Sequence, residues 1–369
     1  MLKRRLFLQL TASLPALLLS AGSRAETEFE RYQREQRAGV QNIKNAWQDY
    51  RSNYLAAYRD YRQQLEKVWS KPELSDKKVW VEYSDNLRTR RTVDFERNEV
   101  RLSFTGEEVA RLSDARIRAE FEKVINASLE QAYKADPVLA RTGGAQPPAS
   151  RQPVAGIKPE QITELLQQAR QQQQRTGKGE VVTITIPLNR DAVPQRAQNF
   201  LPIVKQQAQK WRVDPALVMA IIQNESSFNP MARSHIPAFG LMQIVPASAG
   251  RDATRKAWGK EKLLTGAELF RPETNIELGC AYLNILDTQY LAAVKDPQSR
   301  LYCVIAAYNT GAGNVARSFT GNTSVRDAAP RINALSPTQV YAHLRRRLPY
   351  EETRNYLEKV NKSLTTYKA

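Results

Sequence analysis

Cysteine and histidine are scarce in this chain, with two of each among 369 residues. Cys280 and Cys303 are too few for a disulfide framework. His235 and His343 show no paired spacing to each other or to the cysteines, so nothing points to a metal site and no cofactor is expected. Each cysteine lies in an apolar helical run, IELGCAYLNIL or LYCVIAAY, where two small buried side chains and a single bridge fit equally well. Beyond the first 25 residues no stretch stays apolar for the ~20 residues a membrane span needs. Acidic residues are also in short supply, 38 against 55 Lys and Arg, which leaves a formal net charge of +17. That excess predicts an anionic partner: nucleic acid, an anionic membrane surface or an acidic polymer, which composition does not rank.

The N-terminus ranks them. MLKRRLFLQLTASLPALLLSAGSRA has a basic start, an apolar middle, and Ser23 and Ala25 at the positions of an A-x-A-like cleavage site. Residues 1–25 therefore read as a signal peptide, with a mature chain starting near Glu26. KRRLFLQ fits a twin-arginine export signal as well as an ordinary charged one. An exported, soluble or peripheral protein without a recognised nucleic-acid module is not expected to bind nucleic acid.

Residues 26–190 read as an α+β region. Trp47, Tyr50, Tyr54, Tyr58, Tyr61 and Leu65 recur at steps of three and four, one stripe of a long helix whose expected role is packing. After Pro72 the period changes to two in VWVEY (79–83), RRTVDF (90–95) and EVRLSF (99–104), which predicts a small antiparallel sheet. Helical spacing returns over 107–133. From about 135 to 178, GGAQPPASRQP and QQARQQQQRTGKG disfavour a packed core and are expected to form a linker or an outlying helix. VVTITIPL (181–188) is one more strand, expected to join the first sheet. Every strong signal in 191–369 is helical, so the fold class is α+β with an all-α second domain.

The chemistry concentrates where charge is placed against its usual preference. The run DPALVMAIIQNESSFNP reads as a helix that opens at Asp214 and Pro215, with Val218, Ile221 and Ile222 on one face and Glu225 continuing that face. Burying an unpaired carboxylate is costly and favours its protonated form. GLMQ (240–243) follows in a segment flanked by glycine and proline, and AAYNTGAGNV (306–315) closes another apolar helix. LPYEETRNYLEKV (348–360) is a last amphipathic helix. Taken singly each is weak, because a Glu on a helix face is usually half-exposed and Gly-x-Gly turns are common.

Taken together and in order, ESSFNP, Ser234, GLMQI, RPETNIELGCAYL, AYNTGAGNV and PYEETRNYLEKV resemble the successive motifs of the bacterial soluble-lytic-transglycosylase domain, over about residues 200–365. KKVWVEYSDNLRTRRTVDF further resembles the N-terminal domain of the membrane-bound lytic murein transglycosylase C subgroup. The resemblance implies a goose-type-lysozyme-like fold and cleavage of peptidoglycan glycan strands, and the charge excess leaves an anionic membrane surface open as a peripheral contact. It implies Glu225 as the acid/base, and Ser234, Gly240, Met242 and Gln243 at substrate-contacting positions. Tyr308 and Asn309 would line the cleft, and Tyr356 would hold the Glu225 side chain. A hydrolytic muramidase and a non-catalytic peptidoglycan-binding protein are the alternatives. Pro237-Ala238 stands where Gly-Ala is usual, which leaves the placement of His235 open. Ser23 stands where the subgroup carries a lipidated cysteine, so a periplasmic protein held to its polymer by charge is expected.

Overall fold

A computed structural model of the chain describes residues 28–142, 152–154, 156–188 and 192–368. The export signal expected over 1–25 and most of GGAQPPASRQP lie outside the described residues. Contacts divide the described residues into two units, with the division after Asn42.

The long helix is α1 (Glu28–Val68). Its stripe packs as its spacing requires: Tyr54, Tyr61 and Leu65 are buried, and Tyr61 meets Tyr83 edge-on at 6.2 Å. The alternating segments become β1 (Val79–Ser84), β2 (Thr89–Asp94) and β3 (Glu99–Thr105). The turn after β2 is held by Asp94, whose carboxylate accepts from the backbone of Glu96 and Arg97. Helical residues 107–133 divide into α2 (Glu107–Ala110), α3 (Asp114–Asn126) and α4 (Leu129–Ala135), with Ser113 and Ser128 capping the latter two. α5 (Pro137–Ala140) and α6 (Ile162–Gln167) precede the rest of the sheet.

Here the structure corrects the sequence. The glutamine-rich stretch is neither linker nor outlying helix over Arg170–Thr176; it is strand β4, paired antiparallel with β5 (Gly179–Pro187). Most of its side chains are exposed, so no apolar alternation marks it. What makes it a strand is its partner and the tight turn between them, where Gly179 takes φ +112° and Thr176 donates its hydroxyl to the Gly179 carbonyl at 2.8 Å. β5 itself joins the first sheet as expected, completing the order β1-β2-β3-β5-β4 with every pairing antiparallel. The register sets Val100 against Ile186 and Leu102 against Ile184, a buried apolar face.

The remainder is helical: α7 (Ala192–Trp211), α8 (Pro215–Ser226), α9 (Arg251–Trp258), α10 (Gly266–Leu269) and α11 (Pro272–Ile285) come first. α12 (Pro297–Thr310), α13 (Ala312–Thr320), α14 (Val325–Asn333), α15 (Pro337–Arg347) and α16 (Glu351–Lys368) follow. Cys280 and Cys303 are buried and unbridged. α1 and the start of α5 are tied to the later helices through the segment after α8: Phe239 takes Tyr50 and Tyr54 edge-on, and the buried Arg233 pairs with Asp136 at 2.6 Å.

Candidate active site

α8 is built to end in a carboxylate. Asp214 caps it by accepting from the Ala216 amide at 2.8 Å, Pro215 sets its first turn, and Val218, Ile221 and Ile222 are wholly buried. It stops abruptly because Ser227 and Phe228 both take left-handed backbone angles, φ 51° and 63°, so the chain reverses directly after Glu225. Glu225 is thereby left at the floor of a cleft of about 630 Å³ with its side chain only 6% exposed.

Burial is the largest influence on Glu225 and raises its pKa above the ordinary 4.5. Lys77, Tyr356 and Lys78 pull in the opposite direction, and Glu352 adds to the rise. Lys77 Nζ stands 3.8 Å from Glu225 Oε2. The buried Tyr356 hydroxyl has no partner in strict hydrogen-bond geometry, yet it stands close enough to the carboxylate that each alters the other's proton affinity. Burial and the charge of Glu225 push Tyr308 well above the ordinary phenol value.

Of the residues implicated by sequence, Glu225, Ser234, Gln243, Tyr308 and Asn309 share the cleft wall. Gln243 is mostly buried; its Nε2 donates to the Gly240 carbonyl at 3.0 Å, which leaves Oε1 enclosed and unpaired. That amide oxygen is a ready acceptor for an O–H or N–H. Asn309 accepts from Thr353 at 2.7 Å, and Tyr308 donates to the Met242 carbonyl at 2.8 Å. The Ser234 hydroxyl is engaged within its own turn, donating to the Ile236 carbonyl and accepting from the Ala238 amide, and this turn leaves His235 exposed on the wall.

Three of the expected residues stand behind the wall. Tyr356 backs Glu225 from α16. Gly240, expected to touch substrate, is enclosed: it takes φ +75°, and a Cβ there would fall 2.3 Å from both the Leu269 carbonyl and the Asn275 amide. Met242, with the same expectation, is fully buried, its sulfur filling the space above Gly279, where a Cβ would meet it at 2.1 Å. Both shape the wall that Gln243 occupies.

Sequence reasoning missed Lys77, Glu352 and Asn275. Asn275 lies within the quoted RPETNIELGCAYL without a role, yet it is the brace of the loop. Its Oδ1 accepts from Met242 at 2.7 Å, and its Nδ2 donates to Phe239 and Leu269 at 2.8 and 2.9 Å. A buried asparagine among apolar helix positions was the available signal. Nothing in sequence links Lys77 to Glu225, 148 positions later, because only the docking of the sheet brings them together.

The Transglycosylase SLT domain family matches residues 202–329. The membrane-bound lytic murein transglycosylase C of Histophilus somni is 34% identical over 320 residues, covering 82% of this chain and 85% of that protein. That of Klebsiella pneumoniae subsp. pneumoniae is 35% identical over 339 residues, covering 88% and 91%. The chain belongs to the membrane-bound lytic murein transglycosylase C family. As a member it is a peptidoglycan lytic transglycosylase, and the likeness to these relatives, unlike the domain match, is long enough to take in the sheet-bearing segment. Among solved structures, the 70 kDa soluble lytic transglycosylase of Escherichia coli is similar to 45% of this chain and 24% of its own, at 27% identity and a TM-score of 0.35.

Proposed function

We propose that this transglycosylase cleaves the β-1,4 bond between N-acetylmuramoyl and N-acetylglucosaminyl residues without water, using Glu225 first as acid and then as base. The observation that carries this reading is a buried carboxylate, with its proton affinity raised, on the floor of an open cleft. Glu225 gives its proton to the glycosidic oxygen as the C–O bond breaks, and the bonding pair leaves with that oxygen. The positive charge left on the muramoyl ring is met by the sugar's own N-acetyl group. The 6-hydroxyl of the same sugar then attacks the anomeric carbon and returns its proton to Glu225, leaving a 1,6-anhydro end. No second enzymatic carboxylate is needed. Gln243 Oε1 and the side chain of Asn309 receive sugar hydroxyl or acetamido groups, and Tyr356 and Tyr308 hold the Glu225 surroundings.

A hydrolytic reading is favoured by one observation: Glu352 is a second carboxylate on the same wall. Its side chain is 74% exposed and lies 3.6 Å from the Lys77 ammonium, so it faces water and a cation rather than a sugar face. Digestion of purified peptidoglycan by the wild type and Glu225→Gln, followed by mass spectrometry of the muropeptide ends, separates the readings. Anhydro ends that vanish with Glu225→Gln support the proposal, reducing ends support hydrolysis, and an uncleaved polymer leaves only binding. We also place the enzyme in the periplasm, exported by residues 1–25, with its basic surface (+17 formal charge over the chain) attracting anionic wall polymer and membrane. Fractionation of cells into cytoplasmic and periplasmic pools checks this.

A further inference from the structure

The catalytic helix is in contact with a residue that the helical segment does not itself supply. Ser75, Asp76 and Lys77 lie ahead of β1 in a turn fastened on two sides. On the sheet side, Asp76 accepts from the amides of Lys78 and Val79 at 2.7 and 2.8 Å, and the Ser75 hydroxyl bonds both ways with Val81. On the other side, Arg233 donates its amide to the Asp76 carbonyl at 3.3 Å, and Asn229 donates to the Lys77 carbonyl at 3.4 Å. The backbone carrying Lys77 is therefore anchored to the same 229–233 segment that follows Glu225. From there its ammonium reaches between two carboxylates, 3.8 Å from Glu225 Oε2 and 3.6 Å from Glu352 Oε1.

We propose that Lys77 is a positioning residue of the catalytic centre, the counter-ion for the negative charge that appears on Glu225 once its proton has passed to the leaving oxygen. This rests on Glu225 being the acid. A carboxylate generated in so enclosed a place must find a positive partner or take its proton back. At rest the ammonium is shared with Glu352, and its distance from Glu225 exceeds a charge-assisted hydrogen bond, so it does not clamp the carboxyl. When Glu225 becomes an anion the ammonium is already aimed and has only to close the gap. Glu352 acts in the opposite sense, holding Lys77 back and adding a like charge.

The charged and titratable groups facing Glu225 are Lys77 and Lys78 ahead of β1, Glu352 and Tyr356 on α16, and Tyr308 on α12. Because the reaction begins from protonated Glu225, the alkaline limb of kcat against pH follows that proton. Lys77→Met removes an influence that favours the anion, so the limb moves to higher pH, while kcat falls on the order of 10–100-fold with KM little changed. Glu352→Gln removes a like charge and moves the limb to lower pH. Lys77→Arg keeps the charge and restores both limb and kcat toward wild type. The experiment is kcat and KM for the full chain on purified peptidoglycan across pH, with circular dichroism confirming the fold of each variant. Opposite displacement of the limb by Lys77→Met and Glu352→Gln, with rescue by arginine, is the expected result. A Lys77→Met profile superposable on wild type, or limbs displaced in the same direction, overturns the proposal. Should Lys77→Met fail to fold, an unmoved limb in Glu352→Gln overturns it by itself. Glu225→Gln run alongside separates the two levels: if it stays active, the acid assignment fails; if it is dead while Lys77→Met is normal, only the role of Lys77 fails.

Discussion

Asn275→Ala tests whether the cleft wall is held by one side chain. Asn275 is wholly buried and makes three hydrogen bonds to backbone, one to the Met242 amide and one each to the carbonyls of Phe239 and Leu269. Phe239 also accepts from the Ile244 amide at 3.1 Å, so its carbonyl keeps a partner after the substitution. The Met242 amide loses the partner it has in Asn275, and so does the Leu269 carbonyl. Each of the two buried polar groups left without a bond costs about 1–3 kcal/mol, and the third bond adds about 1 kcal/mol, so a loss of roughly 3–7 kcal/mol is expected. Alanine also opens space beside Gly240, whose turn is shaped around the asparagine amide. Urea denaturation should show the midpoint falling with little change in slope, and a thermal midpoint lower by about 1–2 °C for each kcal/mol. Activity should fall further than stability alone explains, because Gln243 sits on the loop released. A loss below about 1 kcal/mol with full activity would refute the bracing argument.

Glu225→Gln should stabilise the protein at neutral pH by about 0.5–2 kcal/mol while abolishing cleavage, as removal of a strained active-site group does. The sign follows from its raised pKa: the folded state keeps this proton longer than the unfolded chain, so wild-type stability falls as pH rises from the unfolded value through the folded one. The difference between wild type and Glu225→Gln in denaturant titrations should therefore grow from about pH 4 upward and then level off. Asp136→Ala strands the guanidinium of Arg233, 2% exposed, and removes the cap that Asp136 gives Val138 and Leu139; an unfolding free energy lower by about 3–5 kcal/mol is expected. Gly240→Ala forces a side chain into left-handed backbone against the Leu269 carbonyl, costing roughly 2–4 kcal/mol in denaturation measurements, with cleavage impaired in the fraction that folds.

What could be read in the sequence was whatever a local pattern dictates. The three alternating strands, the aromatic stripe of α1 and the buried face of α8 follow from periodicities of two and about 3.6. The burial of Glu225 was legible because a carboxylate interrupts an apolar face, and the motifs that resemble a family named Tyr308, Asn309 and Gln243, which line the same cleft. β4 escaped because its side chains face water and its identity as a strand comes from hydrogen bonds to β5, which no pattern within Arg170–Thr176 encodes. Lys77 escaped for the same kind of reason, since a lysine in SDKKVW looks like surface until the turn is fastened to Asn229 and Arg233. Gly240 and Met242 show the complementary gap: motif membership singles out a residue without saying on which side of the wall it stands.

The central claim is that burial keeps Glu225 protonated past the pH at which an exposed glutamate ionises. Carbon-13 NMR of the side-chain carboxyls, with Glu225→Gln used to assign the resonance, measures this in the substrate-free enzyme. The account predicts a titration midpoint above 4.5. A midpoint at or below 4.5 would contradict it, because the cleft would then hold an ionised carboxylate with no proton to give.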